Sequence, residues 1–118
     1  MIYKKYGKCA IKAYELVLTG VDPREAWQKA ANELMGYNSS SAKKVCPRTS
    51  FLALLGANKK PTKNVEYILY GLEIMNKMDK EELKNMEPIK FWRDKMKMTK
   101  SYNSQIDVLF ALRSKNYI

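Results

Sequence analysis

The chain contains no histidine. That absence closes every mechanism in which an imidazole activates a serine or cysteine, and it removes the commonest metal ligand. Cysteine is nearly as scarce. Cys9 and Cys46 lie far apart and form no Cys-x-x-Cys pair. The usual zinc constellations need four Cys/His ligands, or His with carboxylates, so they are excluded and no metal or cofactor is expected. A Cys9–Cys46 disulfide stays open on sequence alone. The glycines are isolated, so no glycine-rich phosphate loop exists. No apolar run approaches the roughly 18 residues of a membrane span. Met1 leads into Ile2-Tyr3-Lys4-Lys5 with no apolar run behind it, so no secretory signal is read. The expected compartment is the cytoplasm, where thiols stay reduced, with no membrane association.

Acid is also in short supply. Twelve Asp and Glu face 22 Lys and Arg, for a net charge of +10. Glu81 and Glu82 adjoin but project to different sides of a helix, so they make no catalytic pair. An excess of positive charge draws a protein toward nucleic acid, anionic membrane or acidic partners. Only four of the basic residues are arginine: Arg24, Arg48, Arg93 and Arg113. Arginine's planar fork is the usual reader of base edges, so a lysine-rich surface points to phosphate contacts instead. Lysine richness also follows from AT-rich coding, which discounts the charge as a functional signal.

What is present is helical. Apolar residues make up 46% of 118 residues, which suits one domain with its own core. Tyr6, Ala10, Ala13 and Val17 recur at helical spacing over 6–19, and Gly20 closes that helix. Asp22-Pro23-Arg24-Glu25 is a capped start. It is followed by Trp27, Ala30, Ala31 and Leu34 as the inward face, ending at Gly36. Residues 37–45 read as a polar loop. Pro47 then suits the first turn of a helix holding Phe51, Leu52, Leu54 and Leu55. Thr62 caps a fourth helix with the stripe Val65, Ile68, Leu69, Leu72 and Met75. Asp79 with Glu82 marks a fifth, carrying Leu83 and Met86. Pro88 starts a short helix with Ile89, Trp92 and Met96. Ser104 with Asp107 marks the last, in which Ile106, Leu109, Phe110 and Leu112 are buried. No alternating β-branched runs or hairpin dipeptides occur. The expectation is one all-α domain over 1–118, a compact bundle of about six or seven short helices.

Two blocks stand out. One is Ser39-Ser40-x-x-Lys43-Lys44-x-Cys46-Pro47-x-x-x-Phe51-Leu52-x-Leu54. The other is Asn103-Ser104-Gln105-x-Asp107-Val108-Leu109-x-Ala111-Leu112. With Lys5-Tyr6-Gly7 and Glu25-Ala26-Trp27, they make the chain resemble a small bacterial domain family of unknown function, over nearly its whole length. Val45 stands where that family has glycine, and the connector after Gly56 is more basic. The resemblance lends no activity. It implies that the two blocks matter together, for packing or for a site.

Three groups of residues can carry chemistry. Cys46 lies beside Lys43, Lys44 and Arg48, just before an expected helix start, where positive charge and the helix dipole favour a thiolate. The plainer reading is a small buried residue that packs or caps. Asn103, Gln105 and Asp107 form a polar cluster that suits a ligand or a partner's backbone. Ser104 and Asp107 are explained by capping alone, whereas Gln105 is not. The basic groups come last. Ser39, Ser40, Lys43, Lys44 and Arg48, with Lys59, Lys60 and Lys63, combine hydroxyls, ammoniums and helix amides as a phosphate cradle would. Tyr3, Tyr37 and Trp92 are aromatics that stack on bases where exposed. The loop between the second and third helices is too long for a helix-turn-helix.

The leading reading is therefore a small nucleic-acid-binding protein, DNA or RNA, acting through phosphates and without catalysis. The second is an adaptor or inhibitor, of the kind mobile genetic elements carry, that occludes a larger nucleic-acid-handling complex. The third is a thiol enzyme or redox sensor at Cys46.

Overall fold

Helices form where caps and apolar spacing put them. A computed structural model describes residues 1–58 and 60–118; Lys59 lies outside the described residues. Among them run seven α-helices: α1 (Lys5–Leu18), α2 (Pro23–Met35), α3 (Val45–Leu54), α4 (Lys63–Asn76), α5 (Lys80–Lys84), α6 (Pro88–Lys90) and α7 (Gln105–Ser114). A π-helical turn, Phe91–Lys95, continues α6. The Asp22 carboxylate accepts from the N–H groups of Arg24 and Glu25 at 3.1 and 3.3 Å. Glu25 reaches forward to Lys29 rather than back to close a capping box. Thr62 and Asp79 cap α4 and α5 as expected. Gly20, at φ +101°, ends α1 in a conformation that costs a side chain dearly.

α7 is the centre. Gln105 through Leu112 are all buried, whichever way they point. Val108 and Leu112 pack into one apolar cluster with Tyr6, Cys9, Ala13, Trp27, Ala30 and Phe51. Ile106, Leu109 and Phe110 pack into a second with Val65, Ile68, Met75, Phe91 and Trp92. A helix apolar on every side has to be covered on every side. α1, α3, α4 and α6 all touch it, and α2 covers α1. The alanines of α1 and α2 let those two helices lie close. The architecture is the all-α bundle read from the sequence, with a radius of gyration of 13.3 Å.

Several local expectations change. α3 begins at Val45, two residues before Pro47, so Cys46 sits within the first turn rather than ahead of it. Proline is tolerated there because its missing N–H would have found no intrahelical acceptor. Leu34 is 46% exposed, and Met35 takes the inward position in the last turn of α2. Leu69 is 45% exposed. α4 turns Gly71 inward instead, where an added Cβ would lie 3.2 Å from Met96 Sδ and 3.3 Å from Ile106 Cδ1. The short helix after Pro88 widens, with Met96 N–H donating to the Phe91 carbonyl at 3.0 Å. That spacing lets Phe91, Trp92 and Met96 all reach the core. Cys9 and Cys46 are both free thiols.

Asp107, only 4% exposed, ties the ends of the chain together. Its Oδ2 accepts the backbone N–H of Lys4, across 103 positions, at 2.7 Å. Its Oδ1 accepts the Tyr102 hydroxyl, and that hydroxyl in turn accepts the Asp107 backbone N–H at 2.9 Å. Asp107 thus serves the start of α1, while Tyr102 serves the start of α7. Ser104, at φ +67°, makes no side-chain cap, contrary to expectation.

Removing a buried charged acceptor strands its donors, at about 1–3 kcal/mol each. Asp107→Ala is expected to lose about 3 kcal/mol in urea unfolding, and Tyr102→Phe about 1 kcal/mol. Equal stability in both variants and the parent would contradict the tie.

Burial pushes the Cys9 thiol from 9.0 up to about 12. It also pushes the Tyr102 phenol, beside Asp107, well above 10.0. Each holds its proton in the folded state after the unfolded chain has released it. Their contributions are therefore complete below pH 9 and fall as pH rises from there. Each group should lower the unfolding free energy by up to about 1.4 kcal/mol per pH unit, Cys9 from pH ~9 and Tyr102 from pH ~10. Cys9→Ala should flatten that slope in denaturant titrations between about pH 8 and 10.

Candidate nucleic-acid interface

Three helices begin at one place. Cys46 is the second residue of α3, Asn64 the second of α4, and Gln105 the first of α7. Asn64 Nδ2 donates to Cys46 Sγ at 3.4 Å, and Gln105 Nε2 donates to Asn64 Oδ1 at 3.4 Å. Gln105 Oε1 accepts the Asn103 backbone N–H at 2.8 Å. The two sequence blocks therefore meet in space, with Asn64 between Cys46 and Gln105. Nothing in the sequence marks Asn64 except its place after the Thr62 cap. Asp107 takes no part, because its carboxylate is turned to Lys4 and Tyr102.

Beside this junction a cleft of about 350 Å³ opens between α4 and the segment leading into α7. Lys63, Asn64, Tyr67, Lys100, Asn103 and Gln105 line it. Trp92 Nε1 donates to the Lys100 carbonyl at 2.9 Å and fixes that segment.

On the other side of the junction Lys5 of α1 and Lys44 of the loop come together. Tyr6 donates its hydroxyl to the Ser41 carbonyl at 2.9 Å, which draws the 37–44 loop onto α1. Its ring then sits under two ammoniums, Lys5 Nζ at 5.3 Å and Lys44 Nζ at 5.9 Å from the centroid. These contacts and sequence adjacency link Lys5, Tyr6 and Lys44 to Cys46, Asn64 and Lys63, and Lys63 shares the cleft with Lys100. Lys43, Lys60, Lys63 and Lys100 are exposed, and Arg48 is half-buried.

The ion pairs fall elsewhere: Lys12–Glu33, Lys29–Glu25, Lys77–Glu73 and Lys95–Glu82. Among the described residues, Lys5, Lys43, Lys44, Arg48, Lys60, Lys63 and Lys100 pair with no carboxylate. α3 has no acidic residue in its first turn. The start of α3 and this group of unpaired cations add in the same direction, whereas α4 carries Glu66 and α7 carries Asp107 in the first turn.

Not every expected residue joins the run. Ser39 is spent internally: its hydroxyl donates to the Met35 carbonyl at 2.8 Å and accepts the Ala42 N–H at 3.1 Å. Ser40 is exposed, and Lys59 lies outside the described residues. Trp92 is buried, which removes its ring face from stacking, whereas Tyr37 is 81% exposed. A larger cavity of about 560 Å³, lined by Ile2, Lys5, Tyr6, Ile89 and Asp107 among others, also holds Glu87. Its Asp107 is committed to the chain-end tie.

A family model described as a family of unknown function (DUF6979) matches residues 3–118. The chain belongs to this family. DUF6979 assigns no activity to any residue, in keeping with the resemblance read from the two blocks. No curated protein and no solved structure matches the chain. Among the described residues no helix is long and apolar enough to cross a membrane.

Cys46 has an amide on its sulfur and, in a chain without histidine, no imidazole to take its proton. It is half-buried, whereas Cys9 is fully buried. A disulfide-exchange reagent at neutral pH should therefore titrate one thiol in the folded protein and two after denaturation. Cys46→Ser should leave none in the fold. Two thiols reacting at one rate would contradict this placement.

Proposed function

We propose that the protein is a nucleic-acid-binding module that grips the phosphate backbone along the run from Lys5 through Lys44 to Lys63 and Lys100. One observation carries the reading. Lys5, Lys44, Lys63 and Lys100 form no ion pair among the described residues, while the four ion pairs lie on other parts of the surface. Gathering like charges costs free energy, and an anionic polymer recovers it by releasing its condensed counterions. Backbone amides at the start of α3, whose first turn holds no acidic residue, add polarity of the same sign. The prevalence of lysine over arginine suits point-charge contact with phosphates more than base-edge readout. In this reading the protein is a binder and not an enzyme.

The test is fluorescence anisotropy with labelled nucleic acid at several salt concentrations. Affinity is expected to fall linearly in log–log salt, with a slope of about −0.9 per phosphate contacted in duplex. Lys43→Glu with Lys44→Glu should abolish binding, whereas Lys77→Glu, in an ion pair with Glu73 at the C-terminal end of α4, should change little. Unchanged affinity in the Lys43/Lys44 double variant would remove the loop from the interface. No binding of any nucleic acid at low salt would overturn the reading and favour a protein partner.

A further inference from the structure

The amides around the α4–α7 cleft are not fully occupied. A carboxamide offers two N–H donors and an oxygen with two lone pairs. Gln105 is 2% exposed. Its oxygen takes the Asn103 N–H, and one of its own N–H groups reaches Asn64 at a long 3.4 Å. Its second N–H meets no acceptor among the described residues. Asn64 spends one N–H on sulfur, a weak acceptor, also at 3.4 Å. Asn103 gives an N–H to the Ser101 carbonyl at 3.3 Å, and its side-chain oxygen accepts nothing among the described residues. The buried Gln105 amide has a partner on each of its polar atoms, and the spare capacity is its second N–H together with the half-buried Asn103 oxygen beside the open cleft. None of these groups is needed to cap a helix.

The surroundings define what fills that capacity. Tyr67 lines the cleft half-buried, with its ring held at 85° to Trp92 and centroids 5.7 Å apart. A pinned ring is a stacking surface with little entropy left to lose. Lys63 and Lys100 stand exposed at the same cleft. A flat ring with donors and acceptors on its edge, attached to a phosphate, matches all three features. In a duplex those edges are paired and stacked away, whereas in a single strand they are free.

From this we infer that the cleft receives one unpaired nucleobase. The base stacks on Tyr67 and is held by the amides of Asn103, Asn64 and Gln105, with its phosphate on Lys63 and Lys100. The preferred ligand is then single-stranded. This rests on the nucleic-acid reading and narrows it.

Anisotropy with single-stranded RNA, single-stranded DNA and duplex of equal length tests it, using the parent protein, Tyr67→Ala and Asn103→Ala, each checked for folding by circular dichroism. Single strands should bind at least about tenfold tighter than duplex. Each variant should lose about tenfold on single strands, the scale of one stacked base, and leave duplex binding unchanged. A stronger response to one sugar identifies RNA or DNA. In parallel, adenosine and uridine monophosphates titrated into the unaltered protein should shift the side-chain amide NMR signals of Asn64 and Gln105.

Equal affinity for duplex and single strand, with no variant effect and no amide shift, would overturn the cleft while leaving the phosphate reading in place. No binding of any polymer would end both. Should a variant fail to fold, the amide shifts in the unaltered protein decide, and their absence overturns the inference.

Discussion

Everything in this fold follows from burying α7 on all sides. A run such as Val108–Leu112 has no polar face to give to solvent, so helices must enclose it. Enclosure then acts on the two polar residues in its first turn. Gln105 and Asp107 are carried into the interior with the apolar ones, and a buried polar group without partners costs about as much as several buried methylenes gain. Asp107 meets this demand by fastening the start of α1 and taking the Tyr102 hydroxyl. Gln105 meets it through Asn103 and a long bond to Asn64, with one N–H to spare. One helix thus holds a polar residue that closes the chain and another with spare capacity beside an open cleft.

The same constraint gathers the charge. Asn64 bridges α7 to α3, so the starts of three helices come together. The Lys43-Lys44-Arg48 and Lys60-Lys63 groups follow, being attached to those starts. Tyr6 adds α1 by bonding Ser41 and seating Lys5 and Lys44 at its ring. Lys5 and Lys44 are remote in sequence, and only the fold brings them to one ring. A solvated surface with no partner would gain from interleaving carboxylates among them, as the helix pairs Lys29–Glu25 and Lys77–Glu73 do.

Much of this was legible beforehand because it is local. Caps at Asp22, Thr62 and Asp79 and the stop at Gly20 lie within a few residues of the helices they bound. Apolar spacing found most of the core. The misreadings share a cause: they depend on what a helix packs against. Leu69 and Leu34 fit their stripes, but Gly71 and Met35 occupy the inward places because a neighbour's shape selects them. Full burial of α7 was half visible in its apolar run, while the polar Gln105 and Asp107 disguised its first turn as an exposed end. The Lys4–Asp107 bond and the Asn64 bridge have no sequence signature. A backbone N–H is carried by every residue but proline, and one asparagine among several declares nothing about its partners.

Ser104 sharpens the point. The Ser-x-x-Asp spacing at 104–107 is a legitimate helix-start signal, and α7 does start there. The signal was right about the boundary and wrong about its chemistry. Ser104 adopts a left-handed backbone and caps nothing, the Tyr102 hydroxyl supplies the acceptor, and the Asp107 carboxylate is released for a donor 103 positions away. Had Ser104 and Asp107 closed the helix locally, the Lys4 N–H would lose its acceptor and α1 would be unfastened at its start. α1 carries Lys5 and Tyr6, so that fastening also sets where the positive run begins. The tie that stabilises the chain ends therefore helps shape the surface proposed to meet nucleic acid, although Asp107 itself touches no ligand.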